Sequence, residues 1–324
     1  MRVALNLNKQ KVSEYYRRMV LIRKFEEAAA RLYMQGKIRG FMHLYIGQEA
    51  IAAGAISALE AKDYVITHYR DHGHALARGL DPKACMAELS GKATGTSGGK
   101  GGSMHLFNAS KHFMGGHAIV AAHLPIATGL ALASKYRGDD AVTACFFGDG
   151  AVNEGEFHEA MNLASLWKLP VLFFLENNLY GMGTHVEQAH AGGRDIYLAA
   201  EAYKIPAAQI DGMDVVAVHE ATQEALKRLR SGSGPVFLEA MTYRYRGHSM
   251  SDPTQYRDTA EVNEFRENDP IERLKELALR EGIVNKDELE LIDREIDVII
   301  DEATLFAEES PAPPAEALYT NVYA

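Results

Sequence analysis

The sequence predicts an α/β fold, a mainly parallel sheet with helices on both faces. Two stretches carry that expectation. The run Ala141–Phe147 is apolar without alternation, which marks a strand buried on both sides. A helical pattern over Glu154–Leu166 follows it, and a second apolar run, Val171–Leu175, opens after Pro170. Strand, helix and strand in that order make a βαβ unit with a right-handed crossover. Further along, a turn at Gly212, a helix over Val216–Leu229 and a strand over Val236–Met241 extend the pattern.

The remaining elements follow in chain order. Residues 12–34 place apolar side chains at helical spacing between Arg and Glu, which predicts an amphipathic opening helix. Gly40–Gly47 is a loop, and the alanine-rich stretch Glu49–Leu59 is a helix suited to close packing. Tyr64–Thr67 is a short strand ending at His68, Tyr69 and Arg70. Pro82–Leu89 is a short helix capped by Asp81. Six of the thirteen residues in 91–103 are glycine, so this segment is a loop, flexible or wrapped closely around something. Residues 270–308 are charged and helical in pattern, and a proline-rich SPAPPAEAL follows. The expected organisation is an α/β domain over 1–265 with an N-terminal helical segment, and a helical C-terminal extension over 266–324 packed on the same domain. The sequence holds no internal repeat.

Composition removes several classes of function. Lys and Arg number 34 against 44 Asp and Glu, a net charge of −10, and no basic cluster stands out. That excludes nucleic-acid binding and attachment to anionic membranes as main roles. No run of about 18 apolar residues is present, so no membrane span is expected. The two cysteines, Cys85 and Cys145, read as small core residues. With no secretory pattern in the first twenty residues, the cytoplasm is the expected location.

Ligands of parallel α/β sheets bind beyond the carboxyl ends of the strands. Asp149 lies just past one strand and Asn178 just past the next, 29 residues apart, one strand–helix–strand circuit. A carboxylate and an amide oxygen converging there suit magnesium, which takes oxygen ligands and shares them with phosphates. Gly148 and Gly150 allow a phosphate to approach the backbone, and the helix after Gly150 turns its positive end to the same place.

The segment GDGAVNEGEFHEAMNLASLWKLPVLFFLENN (148–178) resembles the thiamine-diphosphate motif, and the likeness extends through FMHLYIGQEA (41–50), HYRDHGHALARGL (68–80), GKGGSMHLF (99–107), NNLYGMGT (177–184), DGMD (211–214) and YRYRGHSMSDP (243–253). Together these blocks resemble the alpha subunit of the thiamine-diphosphate-dependent decarboxylase component of 2-oxo acid dehydrogenase complexes, most like the pyruvate type. The resemblance implies a thiamine-diphosphate-binding fold with thiamine diphosphate and magnesium as cofactors. It assigns metal ligation to Asp149, Asn178 and the carbonyl of Tyr180. Diphosphate contacts fall to Tyr69, Arg70, Gly150 and Ala151. Backbone contacts to the aminopyrimidine fall to Ala118, where relatives more often carry glycine, and Val120; Met182 would support the bent cofactor. His43 and His248 would face the reacting centre, with His248 also near the diphosphate. The partners implied are a beta subunit in an α2β2 assembly, which supplies the activating glutamate, a lipoyl-bearing acyltransferase and a small 2-oxo acid. Acetoin and branched-chain 2-oxo acids are the alternative substrates. A non-catalytic scaffold subunit would be expected to lack Asp149, Asn178 or Arg70. The rival reading of GTSGG (95–99), with Ser97 and Lys100, as a hydrolase nucleophile fails for want of an apolar strand before it.

Overall fold

The computed structural model describes residues 7–322. In chain order the elements are α1 (Lys9–Met34), α2 (Glu49–Ala58), β1 (Tyr64–His68), α3 (His72–Ala77), α4 (Pro82–Leu89), β2 (Phe113–His117), α5 (His123–Arg137), β3 (Thr143–Gly148), α6 (Gly155–Leu166), β4 (Val171–Asn177), β5 (Tyr180–Gly181), β6 (Thr184–His185), α7 (Val186–Ala189), β7 (Ala207–Asp211), α8 (Val215–Arg230), β8 (Val236–Met241), α9 (Thr259–Arg266), α10 (Pro270–Arg280) and α11 (Lys286–Glu309). Six strands form one parallel sheet in the order β2-β1-β3-β4-β8-β7, and β5 pairs with β6 in a small antiparallel ribbon.

The sheet's centre is β3 and β4, joined in register from Thr143↔Val171 to Gly148↔Glu176. Every residue of β4 is buried, as continuous apolar runs require when helices cover both faces. Phe146 and Phe174 stack across the two strands at 5.1 Å, while Phe147, Phe157 and Phe237 meet through tilted and edge-on contacts. The register brings the ends of β3 and β4 level, so Asp149 and the Asn177–Asn178 pair leave the sheet side by side.

The amphipathic opening helix is α1. Lys9, Arg17, Lys24 and Lys37, on α1 and the loop after it, pair with Glu288, Glu295, Asp297 and Glu308 of α11, and Asp293 accepts from the Tyr16 hydroxyl at 3.2 Å. This ladder lays the C-terminal helix along the N-terminal one. The alanine-rich α2 is buried almost throughout and packs on α8. Asp81 caps α4 through the Lys83 N–H, as its position before Pro82 predicts.

The glycine run wraps around a buried carboxylate. Glu88, fully enclosed at the end of α4, accepts N–H bonds from Ser97 and Gly99 on one oxygen and from Gly101 and Gly102 on the other, at 2.8–3.0 Å. Four backbone donors that a loop would otherwise present to water meet one anion. Met104 follows this loop and lines the cleft described below.

Candidate functional site

The carboxyl ends of β1, β3 and β4 open into one cleft of about 660 Å³, within the usual size range of small-molecule sites. All twelve positions singled out from the sequence line it: His43, Tyr69, Arg70, Ala118, Val120, Asp149, Gly150, Ala151, Asn178, Tyr180, Met182 and His248. Tyr69 and Arg70 continue β1, Asp149 to Ala151 continue β3, and Asn178 to Met182 continue β4. Ala118 and Val120 come from the loop after β2, His43 from the loop before α2, and His248 from the loop after β8. One expectation changes. The backbone donors nearest Asp149 belong to a short 3-10 turn over Asp149–Asn153, and α6 starts only at Gly155. Gly150 and Ala151 are the second and third residues of that turn, and the Gly150 N–H precedes its first i→i+3 bond.

Two buried guanidinium groups face the cleft, and neither forms an ion pair among the described residues. Arg70, 2% exposed, donates to the carbonyls of Leu44 at 2.8 Å and His248 at 3.0 Å. Burial and the neighbouring Arg244 pull its pKa down to about 10. Arg244, 1% exposed, donates only to uncharged oxygens: Arg246 O, Asn178 Oδ1, Tyr180 O, Met182 O and the Tyr256 hydroxyl. Buried cations without counter-ions are costly, so the site is short of negative charge. Asp149, 5% exposed, faces the same cleft, and burial raises its pKa to about 6 against the pull of Arg244 and Arg70.

The turn after β4 presents oxygens to the cleft. Asn178 is fixed by Nδ2 donating to Gln48 Oε1 at 3.0 Å, while its Oδ1 accepts the Tyr180 N–H at 3.2 Å. A Cβ placed on Gly181 would lie 3.5 Å from Asp149 Oδ2, so this turn abuts the aspartate. Leu179 and Met182 hold left-handed backbone, φ 72° and 55°, a strain typical of functional turns. Among the described residues no three His, Cys, Asp or Glu side chains gather around a metal position. A cation here would rely on one carboxylate, one amide and one carbonyl, with phosphate oxygens completing its shell. That donor set fits magnesium and does not fit zinc.

His43 and His248 meet edge to face at 5.0 Å, and Tyr69 packs on both, at 4.6 and 5.6 Å. Burial, with Arg70 next in weight, lowers their pKa values to about 2 and about 3. Both are neutral imidazoles in this state, and each leaves a buried Nδ1 without a partner. Met182 and Val120 stand at the rim, 67% and 41% exposed.

Sequence reasoning missed Arg244, Glu176 and His68, which also line the cleft. Arg244 lies inside YRYRGHSMSDP, but nothing in its spacing sets it apart from the arginine two residues on. The rejected serine-nucleophile reading stays rejected: Ser97 Oγ donates to the His105 carbonyl at 2.8 Å, and Lys100 reaches Thr320.

The profile of the family described as "Dehydrogenase E1 component" matches residues 17–316. The chain is 52% identical over 308 residues to a protein of Rhizobium meliloti (strain 1021) named pyruvate dehydrogenase E1 component subunit alpha, covering 95% of this chain and 88% of that one. It is 50% identical to the protein of that name from Zymomonas mobilis, over 97% and 89% of the two chains, and 45% identical to that of Rickettsia bellii, over 97% and 96%. Matched along nearly its whole length, the chain belongs to the dehydrogenase E1 component family.

Proposed function

We propose that this chain works as the alpha subunit of a thiamine-diphosphate-dependent pyruvate dehydrogenase component, holding the diphosphate end of the cofactor. One observation carries the reading of the site: two buried guanidinium groups, Arg70 and Arg244, without carboxylate partners among the described residues, beside Asp149 at the end of β3. A diphosphate supplies the missing negative charge. Magnesium would take Asp149, Asn178 Oδ1 and the Tyr180 carbonyl together with phosphate oxygens. When bound, thiamine diphosphate supplies a nucleophilic ring carbon and an electron sink for loss of carbon dioxide from a 2-oxo acid.

The chain's own residues bind and orient. Tyr69 and Arg70 grip the diphosphate from β1, and the backbone of Gly150 and Ala151 meets it from the turn after β3. Ala118 and Val120 offer backbone to the aminopyrimidine, and Met182 gives an apolar prop. His43 and His248, neutral and with Nδ1 unpartnered, are placed to exchange hydrogen bonds with the substrate side of the cleft.

The cleft is half of a site. Ile119 and Val120 at its rim, and Ile126, Leu132 and Tyr136 on the outer face of α5, leave large apolar side chains exposed, the surface of a protein that is covered by another. A beta subunit in an α2β2 assembly covers this face and contributes the carboxylate that activates the aminopyrimidine; a lipoyl-bearing acyltransferase then takes the acyl group. No helix among the described residues is long and apolar enough to cross a membrane, and two buried free thiols suit a reducing cytoplasm.

Co-expression with a beta subunit and an assay of artificial-acceptor reduction tests the proposal. Activity that needs thiamine diphosphate and magnesium, is highest on pyruvate over acetoin and branched 2-oxo acids, and vanishes in Asp149→Ala is the expected outcome. Absence of cofactor binding and of activity on every substrate would overturn it.

A further inference from the structure

Beneath the cleft lies a buried network that the proposed chemistry does not use. Its hub is Glu176 of β4, 1% exposed. Oε2 accepts from His68 Nε2 at 2.8 Å; Oε1 accepts from His74 Nε2 at 2.9 Å and from the Tyr45 hydroxyl. His68 and His74 come from β1 and α3, so Glu176 reaches over β3, the strand between, which leads into Asp149.

The protonation of His68 follows from its partners. Its Nδ1 lies 3.0 Å from the Arg70 backbone nitrogen. A backbone N–H only donates, so Nδ1 is an acceptor and the ring proton sits on Nε2, facing Glu176. An unbroken line of hydrogen bonds therefore runs from Glu176 through His68 to the main chain of Arg70. A second line reaches the other end of the same residue. Glu176 holds Tyr45, and the carbonyl of Leu44, one residue earlier, accepts the Arg70 guanidinium at 2.8 Å. Two residues on from Glu176, Asn178 enters the cleft.

We propose that Glu176 is a positioning residue: it fixes the His68 tautomer and, through it, aims the Arg70 guanidinium at the diphosphate. The assignment rests on the cleft being a diphosphate site. Its substitution acts on anion binding through Arg70 and not through a contact of its own, in the way that partners behind a ligand set orient the groups in front.

Magnesium pyrophosphate, which reports on the diphosphate end alone, is the probe. Its affinity is measured by calorimetry on the assembled protein, alongside the thermal midpoint. Glu176→Gln and His68→Leu each weaken binding roughly tenfold, and the double variant binds no more weakly than Glu176→Gln alone, because the His68 line starts at Glu176. His74→Asn removes a donor to the same carboxylate without touching Arg70, and binds as the parent does even where its thermal midpoint falls. Additive losses, an equal loss in His74→Asn, or unchanged binding in His68→Leu would overturn the assignment. If Glu176→Gln does not assemble, the contrast between His68→Leu and His74→Asn decides alone. A parent protein that fails to bind magnesium pyrophosphate at all would sink the diphosphate reading itself, a result separate from any difference among the variants.

Discussion

Arg244 donates Nη1 to the backbone carbonyl of Tyr180 at 3.2 Å, the same oxygen assigned to magnesium. A carbonyl oxygen has two lone pairs, so one can serve the guanidinium and the other a metal. Further bonds to Asn178 Oδ1 and the Met182 carbonyl make Arg244 the clamp of a turn whose Leu179 and Met182 adopt left-handed backbone.

Replacing Arg244 with Met keeps the side-chain volume near its present value and removes the charge and all the donors. Affinity for thiamine diphosphate with magnesium is expected to fall by more than about tenfold, with secondary structure retained. Calorimetric titration and far-ultraviolet circular dichroism of the assembled protein check both parts; undiminished affinity would show that the clamp is dispensable.

Asp71 gives stability a dependence on pH. Its side chain is fully buried, one oxygen accepts the Leu106 N–H at 3.0 Å, and the other has no partner. Burial raises its pKa from 3.8 to about 7. Between those values the folded chain keeps a proton that the unfolded chain releases. The fold is therefore favoured at the acid end of the window and loses that advantage as the pH climbs, by at most about 1.4 kcal/mol per unit. Asp71→Asn is expected to flatten this slope in urea unfolding between pH 5 and 7; an unchanged slope would rule Asp71 out as its source.

Glu88→Gln tests the carboxylate at the centre of the glycine run. The amide nitrogen must confront two of the four N–H groups now bound to Glu88. Leaving buried donors unmet costs on the order of 1–3 kcal/mol each, so a loss of roughly 2–6 kcal/mol is expected, with new protease cleavage inside residues 91–103. A variant as stable and as resistant as the parent would deny the carboxylate this role.

The βαβ core was legible because β3 and β4 are buried on both faces and write themselves as unbroken apolar runs. Strand β7 was not. It is AAQID at the sheet edge, largely exposed, and carries no such run. Strand β2 hides behind two glycines, and α5 shows no clean apolar stripe because Ile126, Leu132 and Tyr136 face outward. The twelve cleft positions were found through motif likeness, anchored by the 29-residue step from Asp149 to Asn178. Glu88, Glu176 and Arg244 escaped because their partners are backbone groups or residues distant in the chain. A lone charged residue carries no mark of what will surround it.

The loop around Glu88 also bears on how this chain tolerates mutation. A Cβ at Gly95 would stand 2.2 Å from the Glu88 carboxylate, and one at Gly99, where φ is +75°, 2.6 Å from the Lys92 carbonyl. In a saturation library, a stretch whose composition suggests a dispensable tether would therefore record dropouts as deep as those of the phenylalanine core. Substitution in this segment is expected to be tolerated only at its outward side chains, and an insertion placed here for tagging or fusion would break the cradle around Glu88.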